Sequence, residues 1–225
     1  MFFWETLQSY ELADFLMFSP AVYFRMVEAY VGSWWPLALA FVLGFSGTLW
    51  LWYQKGQDLP VWGLLAAAWV MPVPLFFLGR YAEIMTAAPA FATLFALQGA
   101  LLLIARAHPV KGPAHVSPIG AWGGASLMIV ALVLYPVVAM LAGRAPAAFE
   151  AVALMPDPAV PLTLGWFLLV GERRLLLWVI PFLWVVISAG ILHTMGEPDY
   201  WLLPVLFLLA AVGAFLLPRS GAIKN

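Results

Sequence analysis

Apolar residues run along this chain in long blocks separated by short polar turns, and the blocks set the architecture. A helix needs about 20 apolar residues to cross a hydrocarbon core of roughly 30 Å. Six blocks approach or reach that length, at residues 36–54, 60–78, 87–105, 121–142, 175–193 and 201–217. Pro36 and Pro60 open two of them in the first helical turn, where a missing N–H costs little. Pro72, Pro74, Pro136 and Pro181 fall inside blocks. Each predicts a kink and a freed carbonyl that a neighbouring helix must satisfy.

Ahead of the first block, residues 1–18 interleave Phe2, Phe3, Trp4, Leu7 and Tyr10 with Glu5, Gln8, Ser9, Glu11 and Asp14. A secretory signal peptide would show a basic start and an unbroken apolar core. This pattern fits instead a short helix lying in the membrane interface, aromatic side down. Ser19-Pro20 read as an N-cap and a first helical residue, opening a second short helix to about Val31 with Arg25 and Glu28 paired on its wet face. Residues 1–31 are thus expected to be interfacial and 36–217 to form the bundle.

A seventh block, residues 161–170, reaches only about 15 Å as a helix. Extended backwards, it brings Met155-Pro156-Asp157-Pro158 to membrane depth. The prolines at 156, 158 and 161 predict an extended, non-helical stretch leading to a helix that starts near Pro161, with Asp157 close to its positive N-terminus. A connecting loop is the simplest reading of the break, and a ligand mouth or partner contact the sharper one. If this segment crosses, there are seven spans and the N-terminus is outside; otherwise there are six. Seven is favoured.

Composition agrees with a membrane: 65% of residues are hydrophobic, 9% are charged, and the mean hydropathy is +0.98. A soluble chain carries about 25% charged residues. The net charge of -1 offers no basic patch for nucleic acid. The absence of cysteine excludes disulfides, thiolate nucleophiles and Cys-based metal sites. Arg173, Arg174, Arg219 and Lys224 fall on one side and Glu197 and Asp199 on the other, so the C-terminus is expected in the cytoplasm.

Candidate chemistry is sparse. Apart from Asp157, every acid lies at a span boundary or in a loop, which weighs against proton- or sodium-coupled transport. Arg80 and Glu83 flank Tyr81 at the end of the second span, as a headgroup or substrate clamp or, more simply, an interfacial anchor. Gln98 sits mid-span, suited to a hydrogen bond between helices. His108, His115 and His193 are too dispersed for a haem within one chain. Trp34, Trp35, Trp50, Trp52, Trp62, Tyr200 and Trp201 read as interfacial girdles. The deeper Trp69, Trp166, Trp178 and Trp184 need acceptors for their N–H groups. Ala88, Ala92, Ala96 and Ala100 form a small-residue ridge, and Gly120 and Gly124 repeat its spacing, for contact within the chain or with another subunit.

Three stretches, SPAVYFRMVEAYVGSWWPLALAFVLG, YAEIMTAAPAFATLFALQGALLL and PLTLGWFLLVGERRLLLWVIPFLWVVISAG followed by GEPDYWLL, resemble a bacterial family of uncharacterised multi-spanning integral membrane proteins, a domain of unknown function. The resemblance implies the architecture and no activity. Similar proteins carry a His before the Tyr81-Ala82 pair, where this chain has Phe76-Phe77-Leu78, and a Cys-containing turn near Met155-Pro156-Asp157-Pro158. Both departures count against a metal or redox role.

The chain is therefore expected to be one all-α domain over residues 1–225: a polytopic transmembrane helix bundle of six to seven spans in a bacterial cytoplasmic membrane, with interfacial amphipathic helices at its N-terminus. The expected function is non-catalytic, an accessory or scaffold subunit packing against a larger membrane complex. The alternative is a channel or facilitator for a small neutral or apolar solute. No catalytic residue, metal or cofactor is expected. The partners would be the lipid bilayer and other membrane subunits, and the polar candidates Arg80, Glu83, Gln98 and Asp157.

Overall fold

Ser19 and Gly56 bracket the first helix, α1 (Pro20–Lys55): the Ser19 hydroxyl accepts from the Val22 N–H at 3.4 Å, and Gly56 closes the helix at φ 67°. These observations come from a computed structural model that describes residues 17–107, 113–141, 143 and 148–216. The expected short helix to Val31 and the block at 36–54 are one continuous helix of 36 residues, about 54 Å long. Pro36 removes a single bond, to the carbonyl four residues back. Burial of Tyr23, Val27, Tyr30 and Val31 against the bundle carries the helix past that loss. Residues 20–31 are therefore part of the bundle, a correction to the interfacial reading. The helix expected over residues 1–18 lies outside the described residues, except for Met17 and Phe18.

Helix α2 (Leu59–Val70) runs on into a π turn, Val73–Phe77, and then a short 3-10 turn, Tyr81–Glu83. Next come α3 (Ala88–Ala105) and α4 (Pro118–Ile129), the latter capped by the Ser117 hydroxyl on the Gly120 N–H at 3.0 Å. A second π turn, Val130–Leu134, joins α4 to α5 (Tyr135–Leu141). Both π turns adjoin prolines, Pro72 and Pro74 in one case and Pro136 in the other, as sequence predicts for kinked spans. The chain ends with α6 (Ala159–Val170), α7 (Leu175–Thr194) and α8 (Leu202–Leu216). No strand occurs among the described residues.

Pair contacts fix the directions. The Tyr30 hydroxyl donates to the Leu154 carbonyl, and Trp52 meets Trp166, so the segment from 148 to 170 runs parallel to α1. Gln98 reaches Leu177, while Phe91 packs on Trp184, so α3 and α7 are antiparallel. Arg174 donates to the Ala105 carbonyl at 3.3 Å. One end of the bundle thus gathers residues 20, 79–87 and 195–201, and the other gathers 55–59, 105–107, 113–118 and 171–175. The break and α6 together traverse the bundle, giving seven alternating passes among the described residues.

Helix α6 is the centre of the packing, against α4, α8 and α2, and all its residues except Leu169 are buried. The α4 crossing is close enough to require glycine on both sides. A Cβ at Gly124 would lie 2.6 Å from the Gly165 carbonyl oxygen, and one at Gly165 would lie 2.8 Å from that of Gly124. Gly124 therefore packs within the chain. The alanine ridge divides: Ala88 and Ala92 are buried, whereas Ala96 and Ala100 are exposed. Residues four apart advance about 40° beyond a full turn at each step, so the row winds off the contact face. Gly99 takes over the close approach, against Ala66 and Val70 of α2.

Among the described residues, five helical segments are long and apolar enough to cross a membrane: Pro20–Lys55, Leu59–Glu83, Ala88–Ala105, Pro118–Val138 and Leu175–Thr194. Ala159–Val170 and Leu202–Leu216 are apolar and shorter. Trp34, Trp35, Trp50, Tyr200 and Trp201 are exposed. Trp52 and Trp62 are instead buried, edge-to-face on Trp166 with ring centroids 5.2 and 6.0 Å away, because α1 and α2 both turn that face towards α6.

Candidate functional site

The break before α6 is buried. Residues 151–160 are all enclosed, and the backbone forms turns rather than the extended stretch that the prolines predict. Backbone polar groups at such depth need partners. The Leu154 and Met155 N–H groups both donate to the Ala151 carbonyl, and the Val160 N–H donates to that of Asp157 at 3.1 Å. The Tyr30 hydroxyl covers the Leu154 carbonyl from α1 at 3.2 Å. Ala153 adopts φ 70°, a left-handed conformation costing a non-glycine residue about 1–2 kcal/mol. Helix α6 begins at Ala159 and absorbs Pro161 in its first turn.

These turns deliver Asp157 to three helix-borne donors. Its Oδ1 accepts the Trp184 Nε1–H at 2.7 Å; its Oδ2 accepts the Ser188 hydroxyl at 2.6 Å and the Tyr135 hydroxyl at 3.3 Å. Trp184 and Ser188 are four apart on α7 and share its inward face. Tyr135 follows the π turn directly, and that wider turn sets its register. Helix α6 has no side-chain cap, so the carboxylate serves the neighbouring helices and does not close its own. Asp157 is 5% exposed. Enclosing a carboxylate is costly unless hydrogen bonds replace its water, which these three donors do.

Around Asp157 a small chamber is lined by Tyr23, Phe76, Tyr81, Glu150, Met155 and Ile191 among others. About 20 Å³ of it is open to the centre of a water molecule, enough for one ordered water. Glu150 is as buried as Asp157, so two carboxyl groups share the chamber. Sequence places Glu150 in a loop, correctly, but a loop that the bundle encloses.

The other polar candidates lie elsewhere. Arg80 and Glu83 are exposed, while Tyr81 between them is buried under Phe18, Tyr23 and Phe76, so it is no belt residue. Gln98 is fully buried and donates to the Leu177 carbonyl at 3.1 Å. That carbonyl would ordinarily accept from residue 181, which is proline, so Gln98 repairs the bond Pro181 removes. Trp69 donates to the Thr163 hydroxyl at 2.8 Å. The Trp166 and Trp178 N–H groups find no acceptor among the described residues. His193 packs on the Tyr200 ring at 4.8 Å, and His108 lies outside the described residues. No group of three or more His, Asp or Glu side chains converges among the described residues.

At the opposite end of α6 the turn into α7 is tied by Glu172. Its carboxylate accepts the Arg174 backbone N–H at 2.8 Å and Nε–H at 3.0 Å. Burial pushes the Glu172 carboxyl up, but the bonds and charge of Arg174 outweigh it and hold the group below the ordinary glutamate range.

A family model described as a family of unknown function, DUF6064, matches residues 20–222, and the chain belongs to that family. No curated protein and no solved structure matches it.

Proposed function

We propose that this member of the DUF6064 family is a multi-pass protein of a bacterial cytoplasmic membrane that moves a small solute, with protonation of Asp157 coupled to the movement. The observation that carries this reading is the Asp157 carboxylate, enclosed by donors from α5 and α7. An ionisable side chain at membrane depth is expensive and by default marks a pathway or proton relay. Glu150 lines the same chamber, so the enclosed region holds a second carboxyl group besides Asp157. The polar Tyr23 and Tyr81 side chains give the chamber its face towards the Pro20 end. Four described cations, Lys55, Arg106, Arg173 and Arg174, gather at the other end against Arg25 and Arg80 here. The positive-inside rule then puts the C-terminus in the cytoplasm and the chamber nearer the outer face.

Infrared difference spectra between acid and neutral pH test the proton step, and proteoliposomes with an imposed pH gradient test whether that proton crosses the bilayer. The wild-type protein should show a carboxylic-acid band that Asp157→Asn removes and should dissipate the gradient faster than that variant does. Identical spectra and identical gradient decay for the two proteins would end the proposal.

A second reading, an accessory subunit in a larger membrane complex, rests on the outward face of α3. Ala96 and Ala100 are exposed there, leaving a shallow surface that another helix can approach closely. Mild-detergent purification discriminates it: a monodisperse monomer with no companion subunit counts against this reading and leaves the first untouched.

A further inference from the structure

Far from Asp157, the cationic end of the bundle carries a groove between α7 and α8. Its walls are Trp178 and Phe207, whose rings meet at 6.0 Å and 80°, with Phe215 towards the end of α8. Ala211 and Ala214 lie a turn apart on α8 and form its floor, where larger side chains would fill it. Arg173, in the turn ahead of α7, is among the lining residues, and no acid is. The volume is about 400 Å³, within the roughly 300–1,000 Å³ of small-molecule sites.

From Phe207 to Phe215 the groove follows eight residues of helix, about 12 Å. That is slightly less than half of a hydrocarbon core of roughly 30 Å, so the groove has the depth of one leaflet. A cation at the headgroup level with an apolar channel beneath it has the charge and shape of an anionic phospholipid in reverse. We infer that this groove holds one anionic phospholipid of the cytoplasmic leaflet, its phosphate at Arg173 and an acyl chain against Trp178, Phe207 and Phe215. The inference rests on the membrane reading above and is independent of the role of Asp157. Basic pockets between helices on the cytoplasmic side suit such lipids, because that leaflet carries the anionic headgroups.

The test uses the full chain in mild detergent, with phosphatidylglycerol or phosphatidylcholine of the same acyl chains added during thermal unfolding. Phosphatidylglycerol should raise the midpoint more than phosphatidylcholine does. Arg173→Gln should raise the half-saturating phosphatidylglycerol concentration roughly fivefold, the worth of one cation near an anionic surface. Ala211→Phe, which fills the floor, should abolish the stabilisation by either lipid, and Arg25→Gln at the opposite end should leave it intact. Equal responses to the two lipids in the wild type, or a preference that survives both Arg173→Gln and Ala211→Phe, would overturn the assignment. Resistance of the wild-type chain to alkaline extraction from membranes reads the membrane premise separately, so failure of the lipid site and failure of that premise give different results.

Discussion

Replacing Gly165 by Ala pits two effects against each other at the tightest crossing in the protein. In a helix interior, Gly→Ala stabilises by about 0.8–1 kcal/mol through propensity. At Gly165 the added methyl would lie 2.8 Å from the Gly124 carbonyl oxygen and 2.9 Å from Met128 Cγ, with the Met128 nitrogen at 3.2 Å. Two of those three atoms are backbone, so relief requires α4 and α6 to move apart. Overpacking of this kind costs typically 1–3 kcal/mol, and more where no side chain can yield. Because α6 is enclosed by α4, α8 and α2, separation on one side compresses another, and the clash wins. The net loss should be about 1–2 kcal/mol, or about 2–8 °C in the unfolding midpoint for a chain of this size. Gly47→Ala is the paired control: it is in α1, exposed, and its Cβ would meet nothing within 4 Å. It should raise the midpoint by up to about 4 °C. Both variants are read by thermal unfolding in the same detergent. A Gly165→Ala protein as stable as wild type would refute the close packing of α4 on α6.

The bond between Gln98 and Leu177 supplies a second expectation. Gln98→Ala should cost about 1–3 kcal/mol by leaving the Leu177 carbonyl unpaired, and Pro181→Ala in that background should recover part of it by restoring an N–H within α7; a double-mutant cycle showing strict additivity would contradict this. For Glu172, the carboxyl pKa is lowered in the folded state, so its stabilisation is complete above the unfolded glutamate pKa of about 4.3 and is lost as pH falls through the lower folded value. The midpoint difference between wild type and Glu172→Gln should therefore be constant near neutrality and vanish in acid, and a difference that persists at the lowest pH would argue against the ion pair as its source.

Period and proline position made much of this architecture legible. The apolar blocks became helices, the interior prolines produced π turns or demanded a repair, and Gln98 is the repair. Trp69 and Trp184 found the acceptors that deep indoles require. What failed to read through was the direction in which each face turned. A spacing of four looked like a ridge on α3, but the drift of each step carried Ala96 and Ala100 outward. Trp52 and Trp62 had the composition of a girdle and the position of a core, which only the placement of α6 decides. The Asp157 site was half visible: the acid stood out, and so did Trp184, each for a separate reason. Their convergence depends on turns at 151–158 that local propensity does not specify, and Glu150 gave no signal distinct from that of any loop acid.

The enclosure of α6 also bears on the order in which the molecule can be completed. A 12-residue helix preceded by buried turns has no surface fit for water and too little length to stand alone across a bilayer. Its cover comes from both directions along the chain: α2, α4 and Trp52 of α1 are made before it, but α8 and Trp178 of α7 only afterwards. During synthesis the segment 148–170 must therefore wait, half-sheltered, until residues 175–216 arrive. Quality control has a natural checkpoint there, since a chain stopped before α8 would present the apolar centre of its own bundle to whatever protease or chaperone surveys it.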